Sequence, residues 1–409
     1  MRSYSFFTIL LLCFAILVID VFAFYWLQMV TELITTKALV WVINGAFWIF
    51  TIGLISAILL LKIRLDAVNP IKKQLIISSL YGLTISSFIP KIIFVVGSAV
   101  LSATNYVFLD SKSLVVVPLL ALASGVLPFS VIVFGILKTV YRFKVHTTEV
   151  SLPLLPSAFD GFKIVQISDI HIGSFNFRYA ILERAVRLIN NLEPDIIVFT
   201  GDLVNNYAWE LRGWETVFNK LKAKNGKYAV LGNHDYGDYS SWDSKAAKQE
   251  NFLAIKNFFA KTNFTLLLNE GRFIEKQTDK LAILGVENWG MPPFKQYGNL
   301  GEALKEVSEV SIKILLSHDP SHWSQEVVPK TDIALTLSGH THGMQAGINV
   351  GTKKWSPIQY KFKHWAGLYK EGNQYLHVNR GLGWLGFPGR IGMRPEITCI
   401  TLRKHGRKH

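Results

Sequence analysis

The chain has 409 residues, a formal net charge of +14, a mean hydropathy of +0.28 and two cysteines. Cys13 and Cys399 cannot build a disulfide framework, and an apolar excess concentrated before residue 140 argues against a wholly soluble protein. The length allows two domains on a prior of about 150 residues each.

Four stretches, at about 6–30, 39–61, 75–101 and 114–137, are apolar and each near or above the roughly 20 residues that cross a bilayer. The first follows Arg2 but is too long for a signal-peptide core, and no small-residue cleavage site comes after it. Leu12 is not the small residue that a lipoprotein cleavage site requires before a cysteine, so Cys13 reads as a membrane-core thiol. Basic residues gather before the first span (Arg2), after the second (Lys62, Arg64, Lys72, Lys73) and after the fourth (Lys138, Arg142, Lys144). The other two loops carry only Lys37 and Lys112, each near an acidic residue, Glu32 or Asp110. Positive-inside bias then predicts a multi-pass protein of the inner (plasma) membrane, with both termini and everything after residue 138 in the cytoplasm. Lys91 follows Pro90 inside the third span, where a charge is expensive. It reads as part of a kinked helix, either snorkelling or facing a neighbouring helix.

From about Phe143 short strands alternate with amphipathic helices, which predicts an α/β domain. Strands are expected at Phe162–Ser168, Asp195–Thr200, Lys227–Leu231, Lys313–Ser317 and Ile333–Ser338. Helices are expected at Arg178–Leu192, about Trp209–Lys224 (stopped by Asn225-Gly226) and about Ala246–Ala260. After these five strands come Asp169 and His171, then Asp202, then Asn233, then His318, then His340 and His342. A structural protein has no reason to end five buried strands in Asp, Asn and His. A site holding two divalent cations does, because its ligands must converge from several strand ends. Asp169 and His171 are two apart, so extended geometry would point both side chains the same way.

The series DIH…GD…GNHD…SHD…GHTH resembles the calcineurin-like metallophosphoesterase superfamily over about residues 160–400, with the motifs in the expected order. It is most similar to the membrane-associated bacterial branch, through Leu155-Pro156, Phe159-Asp160-Gly161, Lys163-Ile164, Gln166 and Ser168-Asp169-Ile170-His171. That branch commonly has two glycines after the last metal histidine, where this chain has Gly343-Met344. The resemblance implies an αββα sandwich with both metals at the strand ends. Asp169, His171 and His342 would bind the first metal and Asn233, His318 and His340 the second, with Asp202 bridging. His234 would be the general acid, oriented by Asp235. Zinc alone more typically recruits thiolates or a His-rich set, so two divalent ions drawn from Mn, Fe or mixed occupancy with Zn are expected. Coordination would make water acidic enough to supply hydroxide near neutral pH, and an alkoxide leaving group needs a proton donor.

The expected organisation is a four-helix transmembrane region over 1–140, a linker and opening strand over 141–160, the metallophosphoesterase domain over 161–402 and a basic tail over 403–409. The expected activity is hydrolysis of a phosphoester or pyrophosphate bond. The tether favours a phosphorylated, amphiphilic substrate, and similar enzymes cleave UDP-diacylglucosamine. Two other readings are a membrane scaffold or sensor that binds metal or a phospholigand without turnover, and a nuclease. The basic charge suits anionic lipid headgroups of the bilayer better than nucleic acid, and no specific nucleic acid partner is expected. Gly381–Gly386 matches a dinucleotide fingerprint, but Phe387-Pro388-Gly389-Arg390 begins a helix poorly. This segment reads instead as a loop near the site, with Arg380, Arg390 and Arg394 as substrate-phosphate candidates. Asp319, His322 and His364 read as structural. Asn263-Phe264-Thr265 is a glycosylation sequon that a cytoplasmic domain would not present.

Overall fold

A computed structural model describes residues 5–64, 69–108, 115–307, 309–350 and 353–404. Arg2, Asp110, Lys112 and the tail beyond Lys404 lie outside these residues. The chain divides into a unit of Arg2–Lys138 with Gly386–Gly389, and a second unit built chiefly from Thr139–Leu385 and Arg390–His409.

The first unit has four helices long and apolar enough to cross a membrane: α1 (Phe6–Thr31), α2 (Lys37–Arg64), α3 (Pro70–Phe108) and α4 (Val116–Leu137). Lys91 does not snorkel. Its Nζ donates across to Asp20 Oδ1 of α1 at 2.8 Å, and Thr51 of α2 donates its hydroxyl to the other Asp20 oxygen. The Lys91 ammonium also lies 4.6 Å from the Phe47 ring centroid. Each member of this triad sits about midway along its helix. Half of a ~30 Å hydrocarbon core is beyond the reach of a lysine, so pairing is the way to keep both charges. Asp20 is 1% exposed, and hydropathy alone does not flag it. Neutralising one partner leaves the other uncompensated, which costs about 3–5 kcal/mol. Asp20→Asn and Lys91→Met should each lower the melting temperature of the detergent-purified chain, and the double variant should recover most of the loss. Fully additive losses would mean the two groups are not energetically joined.

The second unit is an αββα sandwich. Its strands are β1 (Lys144–Ser151), β2 (Lys163–Ile167), β3 (Ile196–Thr200), β4 (Lys227–Val230), β5 (Thr265–Leu266), β6 (Glu270–Lys276), β7 (Asp279–Gly285), β8 (Lys313–Leu316), β9 (Leu335–Ser338), β10 (Ile348–Val350), β11 (Lys353–Trp355), β12 (Gly367–Glu371), β13 (Gln374–Val378) and β14 (Glu396–Arg403). One sheet runs β1-β14-β2-β3-β4-β5 and the other β12-β13-β9-β8-β7-β6, with β10 and β11 forming a separate hairpin. Successive side chains alternate between faces. Ile164, Ile196 and Val198 therefore meet Ile283, Ile314, Leu316 and Leu337 between the sheets. The odd-numbered neighbours Val165, Ile197 and Phe199 pack outward on helices. The helices covering that face are α5 (Tyr179–Asn190), α6 (Glu215–Phe218) and α7 (Lys245–Lys261). Ala282, Leu284 and Leu315 face outward on the other sheet, against Ala303, Val307 and Trp323.

The elements differ from expectation at one place that matters for packing. The helix expected over 209–224 is two short pieces, a 3-10 turn at Ala208–Leu211 and α6. Gly213, at φ +78° and packed against the Tyr179 ring, breaks it between them. β2, β3 and β4 are mutually parallel, as are β8 and β9. Within each sheet their carboxyl ends therefore share one edge, where the sequence places the seven polar residues.

Candidate metal centre

Each parallel strand stops two or three positions before its first polar residue, and after β2, β3 and β9 the backbone then turns left-handed. Asp169 (φ +47°), His171 (+45°), Asp202 (+59°), His340 (+71°) and His342 (+52°) all occupy this region. Asp and His tolerate it better than most residues, yet each still costs on the order of 1–2 kcal/mol. Asp169 and His171 therefore do not converge by continued extension of β2, as their spacing suggests. Two left-handed turns aim them. Gly339 is required for the same convergence, since a Cβ there would lie 2.2 Å from Asp169 Oδ2.

The side chains meet in two groups that share one oxygen. His171 Nε2 lies 3.1 Å from His342 Nε2, and His342 Nε2 lies 3.3 Å from Asp169 Oδ1. Asp202 Oδ2 lies 3.5 Å from His171 Nε2 and 3.2 Å from His318 Nε2. On the far side His340 Nδ1 is 3.3 Å from His318 Nε2 and 2.9 Å from Asn233 Oδ1. All seven sequence-singled residues are thus brought together, with Asp202 common to Asp169/His171/His342 and to His318/His340.

The electrostatics call for added positive charge. Among the described residues no Lys or Arg forms an ion pair with Asp169 or Asp202, although both are buried. Burial, with the Asp202 charge adding to it, pushes the Asp169 carboxyl up to about 7. Burial pushes His171 down to about 3 and His340 to about 4, and lowers His342 as well, so these rings stand neutral with lone pairs available. His318 goes the other way. Burial opposes its charge, but the Asp202 carboxylate outweighs that and raises it to about 10. Facing imidazole nitrogens 3.1 Å apart need a proton or a cation between them. The donor set of ring nitrogens, carboxylates and one amide oxygen fits two divalent cations of borderline hardness.

Outer contacts fix the rings. His318 Nδ1 donates to the Thr200 carbonyl at 2.7 Å, which turns Nε2 toward Asp202 as the nitrogen that would give up its proton to a bound cation. Asn233 Nδ2 donates to Tyr239 Oη at 2.9 Å, which turns Oδ1 inward. Asp319, expected to be merely structural, holds Oδ2 3.6 Å behind His340 Nε2 while Oδ1 accepts from Ser321 N and Oγ. Tyr239 and Asp319 carry no spacing signal of their own, but adjacency to the GNHD and SHD motifs is a usable hint.

His234 stands at the edge of the group. Its backbone N–H donates to Asp202 Oδ1 at 2.9 Å and its ring lies 5.0 Å from that of His171. The expected orienting role of Asp235 is wrong. His234 Nδ1 donates to the Asn205 carbonyl at 2.7 Å, whereas Asp235 turns back to accept from the N–H groups of Asp202, Gly232, Leu203 and Val204. Adjacent side chains diverge at a turn, and a carboxylate there collects backbone donors. Asp235 thus ties the ends of β3 and β4 together. Glu210 does the same for the segment that orients His234, accepting from the N–H groups of Asn205, Asn206 and Tyr207.

The Gly-rich segment does pack on the site, with Leu382 N donating to Ser168 O and Gly383 N to Asp169 O, both at 2.9 Å. Its arginines, offered as phosphate candidates, have partners within the protein. Arg390 spends its guanidinium on the carbonyls of Gly383, Arg380 and Met393. Arg394 donates to the Arg142 and Phe143 carbonyls, and Arg380 pairs with Glu396 at 2.8 Å.

A family profile described as calcineurin-like phosphoesterase matches residues 162–344. The metallophosphoesterase YkuE of Bacillus subtilis is 33% identical over 280 residues, covering 66% of this chain and 90% of YkuE. A Bos taurus transmembrane protein with a metallophosphoesterase domain is 31% identical over 278 residues, covering 66% of this chain and 60% of the bovine protein. Its Danio rerio counterpart is 29% identical, with the same shares of 66% and 60%.

Proposed function

Because this chain belongs to the calcineurin-like metallophosphoesterases, a family of hydrolases, we propose that its site hydrolyses a phosphoester or pyrophosphate bond with two bound divalent cations. Asp169, His171 and His342 would hold one ion, Asn233, His318 and His340 the other, and Asp202 both. The observation that carries this reading is Asp202 Oδ2, which lies within 3.5 Å of ring nitrogens from both groups. The cations, when bound, supply Lewis acidity toward the phosphoryl oxygens and acidify water.

The protein's own residues do the rest. Asp202 is fixed through Oδ1 by the His234 N–H, so bridging and proton transfer are positioned by one contact. With Nδ1–H committed to Asn205 O, His234 offers Nε2 to the leaving oxygen. Burial lowers the His234 pKa, which makes its imidazolium a stronger proton donor. A site used only for binding has no need of a donor held in this way. In the proposed setting α1–α4 anchor the chain in the plasma membrane. The basic residues Lys62 and Arg64, in the last turn of α2, support a cytoplasmic placement of the catalytic unit. An anchored enzyme meets bilayer substrates at high local concentration, so a lipid-linked phosphoester or diphosphate, UDP-diacylglucosamine among them, is the substrate class proposed. The detergent-purified chain should hydrolyse bis(p-nitrophenyl) phosphate when given Mn²⁺ and lose that rate to EDTA, reversibly. A rate indifferent to EDTA would contradict the reading.

A further inference from the structure

A lysine stands one aromatic ring away from the metal-binding group. The Lys361 ammonium lies 5.4 Å from the Phe294 ring centroid and 5.4 Å from that of Phe362. Both rings contact the His340 imidazole, at 4.9 Å and 5.4 Å between centroids. Phe294 comes from the loop after β7 and Phe362 from the segment after β11, so two separate parts of the fold build the platform. Cation–π contact holds the ammonium in place without neutralising it. The side chain is exposed, so its hydrogen-bond donors remain open to a ligand. In the 380–394 segment, in contrast, Arg390 and Arg394 are committed to backbone carbonyls, and Arg380 is buried with its Nε 2.8 Å from Glu396.

The chain leading to Lys361 is unusually apolar on its surface. Met344, Ile348, Trp355 and Tyr360 are 54%, 58%, 44% and 81% exposed. They are four of the nine exposed large hydrophobics described after Thr139, gathered into a short segment that begins two residues after His342. Ile348 and Trp355 are register partners across the β10–β11 hairpin. Met344 holds a left-handed backbone at φ +53°. An exposed apolar side chain is thus kept at a position where it strains the backbone. Exposed apolar groups clustered around a cation suit a ligand that is both anionic and amphiphilic.

We propose that Lys361 on its Phe294/Phe362 platform is a second phosphate-binding subsite, reading a diphosphate whose neighbouring phosphoryl group lies at Asp202. This deepens the hydrolase reading and rests on its placement of the scissile phosphoryl group. The two can fail separately, because the subsite is tested by equilibrium binding rather than by turnover. Titration calorimetry of the full-length, Mn²⁺-loaded chain would use AMP, α,β-methylene-ADP and micellar CDP-diacylglycerol in its α,β-methylene form, so that neither diphosphate bridge is hydrolysed. Lys361→Gln should weaken both diphosphates about tenfold, the loss of one charge-assisted contact, and weaken AMP far less. Lys361→Arg should keep most of the diphosphate affinity. Wild-type preference for CDP-diacylglycerol over α,β-methylene-ADP would assign the subsite to a lipid-linked diphosphate, and equal affinity to a soluble one. Diphosphate affinities in Lys361→Gln equal to wild type would overturn the proposal. Failure of the wild type to hydrolyse bis(p-nitrophenyl) phosphate would instead strike the hydrolase reading and leave the binding comparison standing.

Discussion

Replacing His234 by alanine is expected to lower kcat by about 10²–10⁴-fold, the usual worth of a positioned acid. The loss should depend on the leaving group. A p-nitrophenolate departs without much help, whereas an alkoxide needs its proton, so the penalty should be larger for an alkyl diester than for a p-nitrophenyl one. Steady-state rates on the two substrates measure this directly. Metal content should not change, because His234 reaches the site through its backbone N–H to Asp202, and alanine keeps that donor. A uniform loss across leaving groups would assign His234 to binding rather than proton transfer. Asn205 cannot be tested by a side-chain change, since its carbonyl orients the ring.

Asp202→Ala is expected to have the larger effect, on the order of 10⁴-fold or more, as when one member of a cooperating unit is removed. The carboxylate serves three groups at once. Oδ2 faces His171 and His318, and Oδ1 accepts from His234 N. On the proposed reading its removal would take a ligand from both cations and loosen the proton donor, and it leaves His318 without the charge that holds it up near 10. Asp202→Asn should be nearly as damaging, because an amide keeps the size and loses the charge. Initial rates at saturating Mn²⁺ distinguish a weakened site, which added metal rescues, from a dismantled one, which it does not.

The seven polar positions that converge are legible in the sequence because strand ends are local. A buried β-branched run announces the strand, and the next polar residue must lie at its edge. The sandwich layering entered only through the family resemblance, because Ile164/Val165 and Ile196/Ile197 are apolar on both faces and the fold alone shows which of each pair looks inward. What the sequence conceals is long-range or directional. Asp235 follows His234, and nothing in that adjacency says the two side chains part at the turn. Glu210, Tyr239 and Asp319 act through contacts that no period encodes. Asp20 looks like a lone blemish in an apolar span until Lys91, 71 positions later, is seen to face it. Lys361 has an ordinary surface neighbourhood in sequence, and only the fold brings Phe294 beneath it.

The central claim is that two cations share Asp202. Metal counting on the full-length chain, loaded with Mn²⁺ and desalted, tests it most directly. The account predicts two ions per wild-type chain and a marked fall in both for Asp202→Ala. A wild-type chain that retains one ion, or a variant that retains as many as wild type, would contradict it.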